Sequence, residues 1–484
     1  MTSPRGRPWH PPIIAVVLFA VLVASSGGYG WFRDELYFRA LGRHPAIAYP
    51  DVPFFTPFVA RLTTALGGDS LTAFRIWPAI CLGGVALLSG SMCTMLGGDS
   101  RASTIATAAV ATSPLALIFG HVFHYAAFDQ LAWSAILWTV VHIVIADRPK
   151  LWVVVGLLGG LAYENKNLVV LLFIGLATSI AIVGPRSLLR SRWPAIGVFA
   201  AALIAMPNVW WQATHGWPEF ALAQHIRDIG GLSQRLLVIP TQFALVGIPL
   251  AGLAIRGGRR LWREPTLRFL PVGFVVVLVL LILVGGKPYY ASGFLPMFLA
   301  AGAAGTSDRP MRPLYGRLGF NAALSAVIAL PLLPASILSS TPIPAIYPDS
   351  IESIGWPSFV KQVTSAFDTL PPDQQQRAII LTVNYGEAGA LELLGHSRLR
   401  VFSTHNAYFF WGPPPEQSPA RDDIAIAVGI DPAQLRRVYR DVEAVARIDN
   451  GLKLANQEQG HQIYICHDRL ASWRTLWPSL KNYS

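Results

Sequence analysis

The chain has 484 residues, of which 53% are hydrophobic and only 13% are charged. Soluble domains carry about 25% charged residues, so this composition argues against an ordinary soluble protein and predicts a polytopic α-helical membrane protein. The net charge of +11 is expected to mark cytoplasmic loops rather than a nucleic-acid partner.

The charge divides the chain into two parts. Up to Ser340 there are 25 Lys and Arg against 12 Asp and Glu, whereas the remaining residues hold 13 against 15. We therefore expect a membrane domain over residues 1–340 and a globular domain over residues 341–484. The first apolar run could be a cleaved signal peptide. We favour an uncleaved first helix, because its removal would break the alternation of charge between loops.

Apolar segments long enough for a membrane helix recur along the first part, since a span needs about 20 residues. We expect about eleven, near residues 12–30, 76–96, 103–121, 126–146, 150–165, 167–184, 194–212, 236–256, 268–286, 292–306 and 318–339. Arginine-rich stretches lie on alternate loops between them. Because cationic loops stay in the cytoplasm, this pattern predicts a cytoplasmic N-terminus and an extracytoplasmic C-terminal domain.

Three acids, Asp34, Glu35 and Asp51, follow the first span within residues 30–57, in a loop at residues 31–75 that this orientation places outside the cell membrane. Asp34 and Glu35 are consecutive, so on a helix they point about 100° apart and cannot face one cavity equally. Asp51 lies in YPDVPFFTP, where two prolines restrict the backbone. Each acid has an ordinary alternative, as a solvated residue beside the membrane or as a turn residue that caps the next helix.

Single charges in the later spans are further candidates. Asp129 opens an apolar span, where it could cap the helix or belong to a site. Lys166 and Lys287 are isolated cations at outer helix ends. They could be anchors whose ammonium groups reach the membrane surface, or they could bind the phosphate of a lipid.

The outer loop at residues 212–236 is where we expect contacts with an acceptor, through His215 and Glu219. The sequence indicates no certain cofactor. A divalent metal is conceivable but not indicated, because the cysteines lack metal-ligand spacing and the pair His121 and His124 lacks an identifiable third ligand.

The C-terminal part alternates strand-like and helical patterns and predicts a small α/β domain. The segments RAIILTVNY, RLRVFST, DDIAIAVGI and HQIYICHD are typical of strands, and GEAGALELLG and PAQLRRVYRDVEAVAR are typical of helices. The motif NYGEAG resembles a strand-to-helix turn, although it lacks the spacing of a nucleotide-binding fingerprint.

Carboxylates and cations on one face of a membrane suit the transfer of a sugar from a lipid phosphate. A carboxylate can accept the proton of an acceptor hydroxyl as it attacks the anomeric carbon. Cations can stabilise the charge that develops on the departing phosphate. A transporter or flippase of a lipid-linked saccharide is the alternative, although no internal repeat is visible. A sensor or assembly protein anchored by its spans is a third class.

The motifs resemble the GT-C superfamily of membrane glycosyltransferases, and within it the bacterial members of glycosyltransferase family 39. This family includes relatives of the protein O-mannosyltransferases and aminoarabinose transferases. The similar segments are RDELYF, YPDVPFFTP, GLAYENKNLVVLL, PNVWWQATHGWPEF and GGKPYYASGFLP. The resemblance implies a GT-C fold and a polyprenyl-phosphate sugar donor in the lipid bilayer. It also implies inverting transfer to an unidentified acceptor at the outer face of the bacterial cytoplasmic membrane.

The resemblance also assigns roles to the candidates. It implies that Asp34 is the general base and that Asp51 is a second catalytic acid, which orients the base or the acceptor. Lys166 and Lys287 match residues that hold the donor phosphate. The expected substrate-binding residues are Glu35, Asp129, Lys166, Lys287, Tyr290, His215 and Glu219.

Overall fold

The computed structural model describes residues 10–306, 312–416 and 423–483. It is mainly helical and divides into two compact units. The first unit consists of Met1–Gly27, Ala46–Val59 and Gly67–Leu332, and the second consists of Gly28–Pro45, Ala60–Leu66 and Leu333–Ser484. The second unit therefore also takes in parts of the loop at residues 31–75, which the sequence places in the membrane domain.

Helices account for most of the first 330 residues. In chain order they are α1 (His10–Ala24), α2 (Arg33–Arg43), α3 (Phe55–Gly67), α4 (Leu71–Met95), α5 (Ser100–Ala111), α6 (Pro114–His121), α7 (Tyr125–Ala146), α8 (Trp152–Tyr163), α9 (Val169–Ile182), α10 (Trp193–Thr214), α11 (Pro218–Val246), α12 (Ile248–Arg263), α13 (Phe269–Val284), α14 (Leu295–Ala304) and α15 (Arg312–Ala329). A 3-10 segment, Pro288–Phe294, precedes α14.

Within the described residues, four of these helices are long and apolar enough to cross a membrane: α4, α7, α10 and α11. The pair α5 and α6, bent by 53°, makes a fifth if it is one span. Shorter apolar helices are α1, α8 with its preceding turn, α9 and α13. These helices indicate a multi-pass membrane protein, whereas the number of eleven spans and the orientation stay predictions.

Two helix pairs of the first unit approach closely at glycines. A Cβ atom on Gly156 of α8 would lie 2.0 Å from the carbonyl oxygen of Gly197 in α10. A Cβ atom on Gly257 of α12 would lie 1.9 Å from the carbonyl oxygen of Phe298 in α14. Lipid tails are as apolar as hydrophobic side chains, so helices in a bilayer associate through close van der Waals packing. Small residues allow this packing, because they let the two backbones approach.

The prediction of a loop at residues 212–236 was wrong, because α11 begins at Pro218 and covers most of it. Proline is favoured in the first turn of a helix. The polar side chains Gln224 and Asp228 are exposed on this helix, so they mark a helix surface rather than a loop. The predicted span at 236–256 is also interrupted, because α11 ends at Val246 and the next residue, Gly247, has a φ of 90° that breaks the helix.

The second unit contains a five-stranded sheet with the strand order β2-β1-β3-β5-β4. The strands are β1 (Ile379–Thr382), β2 (Val401–Ser403), β3 (Ile424–Val428), β4 (Tyr439–Arg447) and β5 (Gln462–Arg469). β1 pairs in parallel with β2 and β3, whereas β5 pairs antiparallel with β3 and β4. The helices are α16 (Ala335–Leu338), α17 (Ile343–Ile346), α18 (Trp356–Asp368), α19 (Pro372–Arg377), α20 (Tyr385–Leu394), α21 (Asn406–Phe410), α22 (Pro432–Leu435) and α23 (Trp473–Leu476).

Side chains alternate between the two faces of this sheet, as the two-residue period of a strand requires. Ile380 and Ile426 belong to a core with Phe359 and Phe367 of α18. Their neighbours along the strands belong to a second core on the opposite face, which includes Ile379, Leu381, Ala425, Ala427, Trp473 and Trp477. The four predicted strands and the helix at GEAGALELLG are confirmed.

The predicted helix over PAQLRRVYRDVEAVAR was wrong beyond its first turn. Only Pro432–Leu435 is helical, and Tyr439–Arg447 forms the edge strand β4. Its apolar residues also fit a helical period, but backbone pairing with β5 decides the conformation, from Tyr439 opposite Arg469 to Arg447 opposite Gln462. Local pattern is a weak guide at a sheet edge, where long-range pairing supplies the hydrogen bonds.

Candidate functional site

Acidic, basic and phenolic side chains converge in the first unit. We call Asp51, Asp129, Lys166, Glu219 and Tyr290 the carboxylate–lysine cluster. Asp51 lies in the loop before α3, Asp129 in the first turns of α7 and Glu219 in the first turn of α11. Lys166 lies in the connection between α8 and α9, and Tyr290 lies in the segment Pro288–Phe294. Distant parts of the sequence thus supply its members.

Lys166 contacts two other members of the cluster, Asp51 and Glu219. Its ammonium group donates a hydrogen bond to the backbone carbonyl oxygen of Asp51. It also lies 3.9 Å from a carboxylate oxygen of Glu219 and 5.3 Å from the centre of the Tyr125 ring. The side chain of Lys166 is 10% exposed, so its charge is held by these neighbours rather than extended into solvent.

The loop that carries Asp51 is fixed at both ends of its turn. Ala48 and Pro53 form an isolated β-bridge, and the Tyr49 amide donates to the Val52 carbonyl at 3.0 Å. The side-chain amide of Gln212 donates to the Tyr49 carbonyl at 3.1 Å. These backbone contacts agree with the rigid backbone expected from the prolines that flank Asp51. Asp51 itself is only 7% exposed.

Asn165 connects Lys166 to Asp129. Its amide nitrogen donates to the Asp129 carboxylate at 2.8 Å and to the Tyr125 carbonyl at 3.0 Å. Its amide oxygen accepts from the Thr56 hydroxyl at 2.6 Å. One side chain therefore joins α3, α7 and the connection that carries the lysine.

Glu219 forms further hydrogen bonds through its side chain and its backbone. The side-chain amide of Asn167 donates to its second carboxylate oxygen. The Glu219 backbone amide donates to Gln212 at 3.3 Å, so Gln212 links Glu219 to the Asp51 loop. Glu219 therefore lies within electrostatic range of both Lys166 and Asp51.

Two further tyrosines, Tyr125 and Tyr289, lie beside Tyr290 of the cluster. The hydroxyl groups of Tyr125 and Tyr289 share a hydrogen bond of 3.0 Å. The rings of Tyr289 and Tyr290 meet edge to face, with centroids 5.0 Å apart. The Lys287 carbonyl accepts from the Tyr290 amide at 3.1 Å, so Lys287 opens the turn that presents both phenols.

Asp34 and Glu35 belong to the second unit and have different environments. Glu35 is fully buried, and its carboxylate accepts from the backbone amide of Phe32 at 2.8 Å. This bond caps the first turn of α2. Asp34 is 19% exposed and accepts a 2.8 Å hydrogen bond from the Tyr385 hydroxyl. The guanidinium Nε of Arg33 lies 3.5 Å from the same oxygen.

Glu352, Glu387 and Glu458 form an acidic group in the second unit, and Glu352 and Glu458 lie near Arg33. Burial, reinforced by the charges of Glu352 and Glu387, raises the pKa of Glu458 to about 8. Burial also raises the pKa of Glu387, although its hydrogen bond of 2.7 Å with His461 opposes the shift. These carboxyl groups therefore favour their neutral forms more than exposed ones do.

The remaining expected residue, His215, lies away from these contacts. It is exposed at the end of α10, where its ring stacks on Trp211 with centroids 4.0 Å apart. Its Nδ1 atom is 2.8 Å from the Trp211 carbonyl oxygen. The structure thus joins Asp51, Asp129, Lys166, Glu219 and Tyr290 in one cluster, and the roles of all the expected residues stay predictions.

Sequence patterns do not indicate the uncharged partners of the candidate charges. Asn165 and Tyr125 contact Asp129 and Lys166, and Tyr385 contacts Asp34, but these residues carry no charge themselves. Polar residues packed beside charged ones in YENKN and KPYY were the available signal. Over the described ranges, no group of three His, Cys, Asp or Glu side chains is arranged to hold a metal ion.

Comparisons with known proteins agree with this fold. The family model of dolichyl-phosphate-mannose-protein mannosyltransferase matches residues 51–211, which contain Asp51, Asp129 and Lys166. The search of curated proteins gave no match.

The crystal structure of ArnT from Cupriavidus metallidurans bound to undecaprenyl phosphate has a TM-score of 0.61 at 15% identity, covering 94% of this chain and 96% of that one. Its apo structure has the same TM-score at 14% identity, covering 98% of each chain. This likeness shows the fold over nearly the whole length. The chain is therefore similar to ArnT in fold and, over residues 51–211, to the dolichyl-phosphate-mannose-protein mannosyltransferase family.

Proposed function

We propose that this protein transfers a hexosyl or pentosyl group from a polyprenyl phosphate to an acceptor hydroxyl, with inversion at the anomeric carbon. We place the reaction at the outer face of a bacterial cytoplasmic membrane, with the N-terminus in the cytoplasm and residues 341–484 outside. The observation that carries the proposal is the convergence of Asp51, Asp129, Lys166 and Glu219 with phenolic hydroxyl groups. The family match and the ArnT fold support a glycosyltransferase with a lipid-linked donor in general.

Lys166 is the proposed anchor of the donor phosphate. An ammonium group has three hydrogen-bond donors. One serves the Asp51 carbonyl and a second faces Glu219, which leaves the third for a phosphate oxygen. Lys287 and Tyr290, in the turn before α14, are proposed as further donors to the same group. The solved ArnT complex with undecaprenyl phosphate supports a donor of this class.

Asp34 is the proposed general base, with Asp51 as the second catalytic acid. The acceptor oxygen forms a bond to the anomeric carbon from the face opposite the phosphate. Its proton passes to the Asp34 carboxylate, and the bond between the anomeric carbon and the phosphate oxygen breaks. The electron pair of that bond leaves with the polyprenyl phosphate, whose charge Lys166 stabilises.

Transport of a lipid-linked saccharide is not favoured, since both the family match and the solved fold belong to glycosyltransferases. No cofactor is proposed.

Glycan analysis of a deletion strain tests the proposed function. We expect one sugar to be missing from a lipid, protein or polysaccharide of the cell envelope, while its polyprenyl-phosphate precursor accumulates. Restoration by the wild-type gene but not by one encoding Lys166→Ala would support the proposal. An unchanged glycan profile and unchanged precursor pool would contradict it.

A further inference from the structure

The segment NYGEAG of the second unit packs directly against α2, the helix that carries Asp34. Asn384 caps α20, since its side chain accepts from the Glu387 amide at 2.9 Å. The next residue, Tyr385, then turns its hydroxyl group to the Asp34 carboxylate at 2.8 Å. The strand-to-helix turn noted in the sequence therefore presents a phenol to the proposed base.

Two glycines of this motif allow the close approach. A Cβ atom on Gly386 would lie 2.3 Å from Cγ of Arg33. A Cβ atom on Gly389 would lie 2.9 Å from Cβ and 3.0 Å from the carbonyl oxygen of Leu36. Because real Cβ atoms do not approach other atoms so closely, α2 and α20 could not pack this way with side chains at these positions.

The Tyr385 ring is clamped on both faces. It stacks on Tyr37 with centroids 4.2 Å apart and planes inclined by 20°. On its other face it stacks on His405, with centroids 4.5 Å apart and an angle of 19°. Its backbone amide also donates to Nδ1 of His405 at 3.3 Å. A ring held this way keeps its hydroxyl group aimed at one place.

We propose that Tyr385 is a positioning residue for Asp34, so that the C-terminal part of the chain takes part in the reaction by orienting the base. The phenol donates a hydrogen bond to the ionised carboxylate, which favours that form and fixes one oxygen. This inference rests on the proposed function only for the role of Asp34, and the contact itself can be tested without a substrate.

Carbodiimide labelling of Asp34 in the purified full-length protein tests the contact. Modification is measured by peptide mass spectrometry across the pH range in which carboxyl groups titrate. Tyr385→Phe keeps the stacked ring and removes only the hydroxyl, and Tyr464→Phe, in the sheet of the same unit, is the matched control. We expect the labelling midpoint to rise by about one pH unit in Tyr385→Phe, a tenfold change in the ionisation equilibrium. An unchanged midpoint would overturn the proposal.

Transfer activity gives the second readout, with undecaprenyl phosphates that carry radiolabelled mannose, glucose or arabinose as donors. We expect kcat of Tyr385→Phe to fall about tenfold at low pH and to recover as pH rises. At higher pH the Asp34 carboxylate is ionised even without the hydrogen bond from Tyr385. An equal loss at every pH would indicate a merely structural role and overturn the inference. If the labelling midpoint shifts but Asp34→Asn retains full transfer, the contact stands and the proposed base role fails.

Discussion

The side-chain amide of Asn165 donates a 2.8 Å hydrogen bond to the carboxylate of Asp129, and its amide oxygen accepts from Thr56. This pair joins the start of α7 to the connection that carries Lys166. An uncharged residue thus links the carboxylate of Asp129 to the connection that carries Lys166.

Replacement of Asn165 by Ala is expected to destabilise the first unit. It leaves the buried Asp129 and Thr56 groups without this partner, and an unsatisfied buried group costs about 1–3 kcal/mol. The melting temperature of the detergent-solubilised protein measures the loss. The exposed variant Gln224→Ala on α11 is the control. Equal melting temperatures of wild type and Asn165→Ala would contradict the importance of this bond.

Replacement of Lys166 by Ala is expected to weaken donor binding and turnover together. Loss of a cation at the departing phosphate should lower kcat/KM by about 10²–10³-fold, in the range found for a lost transition-state donor. Lys166→Arg should retain part of the activity, since the charge survives in a different shape. Titration with undecaprenyl phosphate measures binding, with the exposed Lys150→Ala as control. Wild-type affinity in Lys166→Ala would refute the phosphate role.

The second unit is expected to lose stability as pH rises from about 4.5 to about 8. The pKa of Glu458 is raised from 4.5 to about 8 in the folded protein, so folding keeps a proton that the unfolded chain releases. The stabilisation is complete below pH 4.5 and is lost as pH approaches the folded value. Raised pKa values of Glu352, Glu387 and His461 act in the same direction.

Glu458→Gln should remove the Glu458 part of this dependence. We expect its melting temperature to exceed that of wild type near pH 8, by roughly 2–4 °C for each kcal/mol recovered, and to match it at low pH. Glu443→Gln, on the exposed edge strand β4, is the control. A difference between Glu458→Gln and wild type that is constant across pH would show that titration of Glu458 is not the cause.

Gly389→Ala is expected to loosen the packing of α20 on α2. The added methyl group would meet Leu36 at 2.9 Å, and overpacking of this kind typically costs about 1–3 kcal/mol. Hydrogen exchange of α2 peptides should therefore accelerate in the full-length protein. Gly316→Ala on α15, where nothing lies within 4 Å of the new atom, is the matched control. Unchanged exchange in both variants would contradict the close contact.

Charged residues in apolar surroundings were the part of the site that sequence could predict. Asp129 and Lys166 stand out because an ionisable group in an apolar segment is costly. Tyr125 and Asn165 do not stand out, since uncharged polar residues are common in such helices. Their importance depends on which distant segments meet, and that information is tertiary.

The fold was predictable where a segment had one dominant pattern. The buried strand at Ile424–Val428 is apolar on both faces and was identified directly. The strand at Tyr439–Arg447 also matched a helical period, and only its pairing with β5 settles its conformation. The sequence predicts a loop where α11 lies, because the polar face of this helix resembles a loop. Gly231 kinks the helix and Gly247 follows its end.

The most direct test of the account is sugar transfer by purified wild-type and Asp34→Asn protein in proteoliposomes. The donors are undecaprenyl phosphates carrying radiolabelled mannose, glucose or arabinose, and the acceptor is a cell-envelope extract of the deletion strain. We expect wild type to label the extract and release undecaprenyl phosphate, whereas Asp34→Asn is equally abundant and folded but inactive. Full transfer by Asp34→Asn, or no transfer by wild type from any of these donors, would contradict the account.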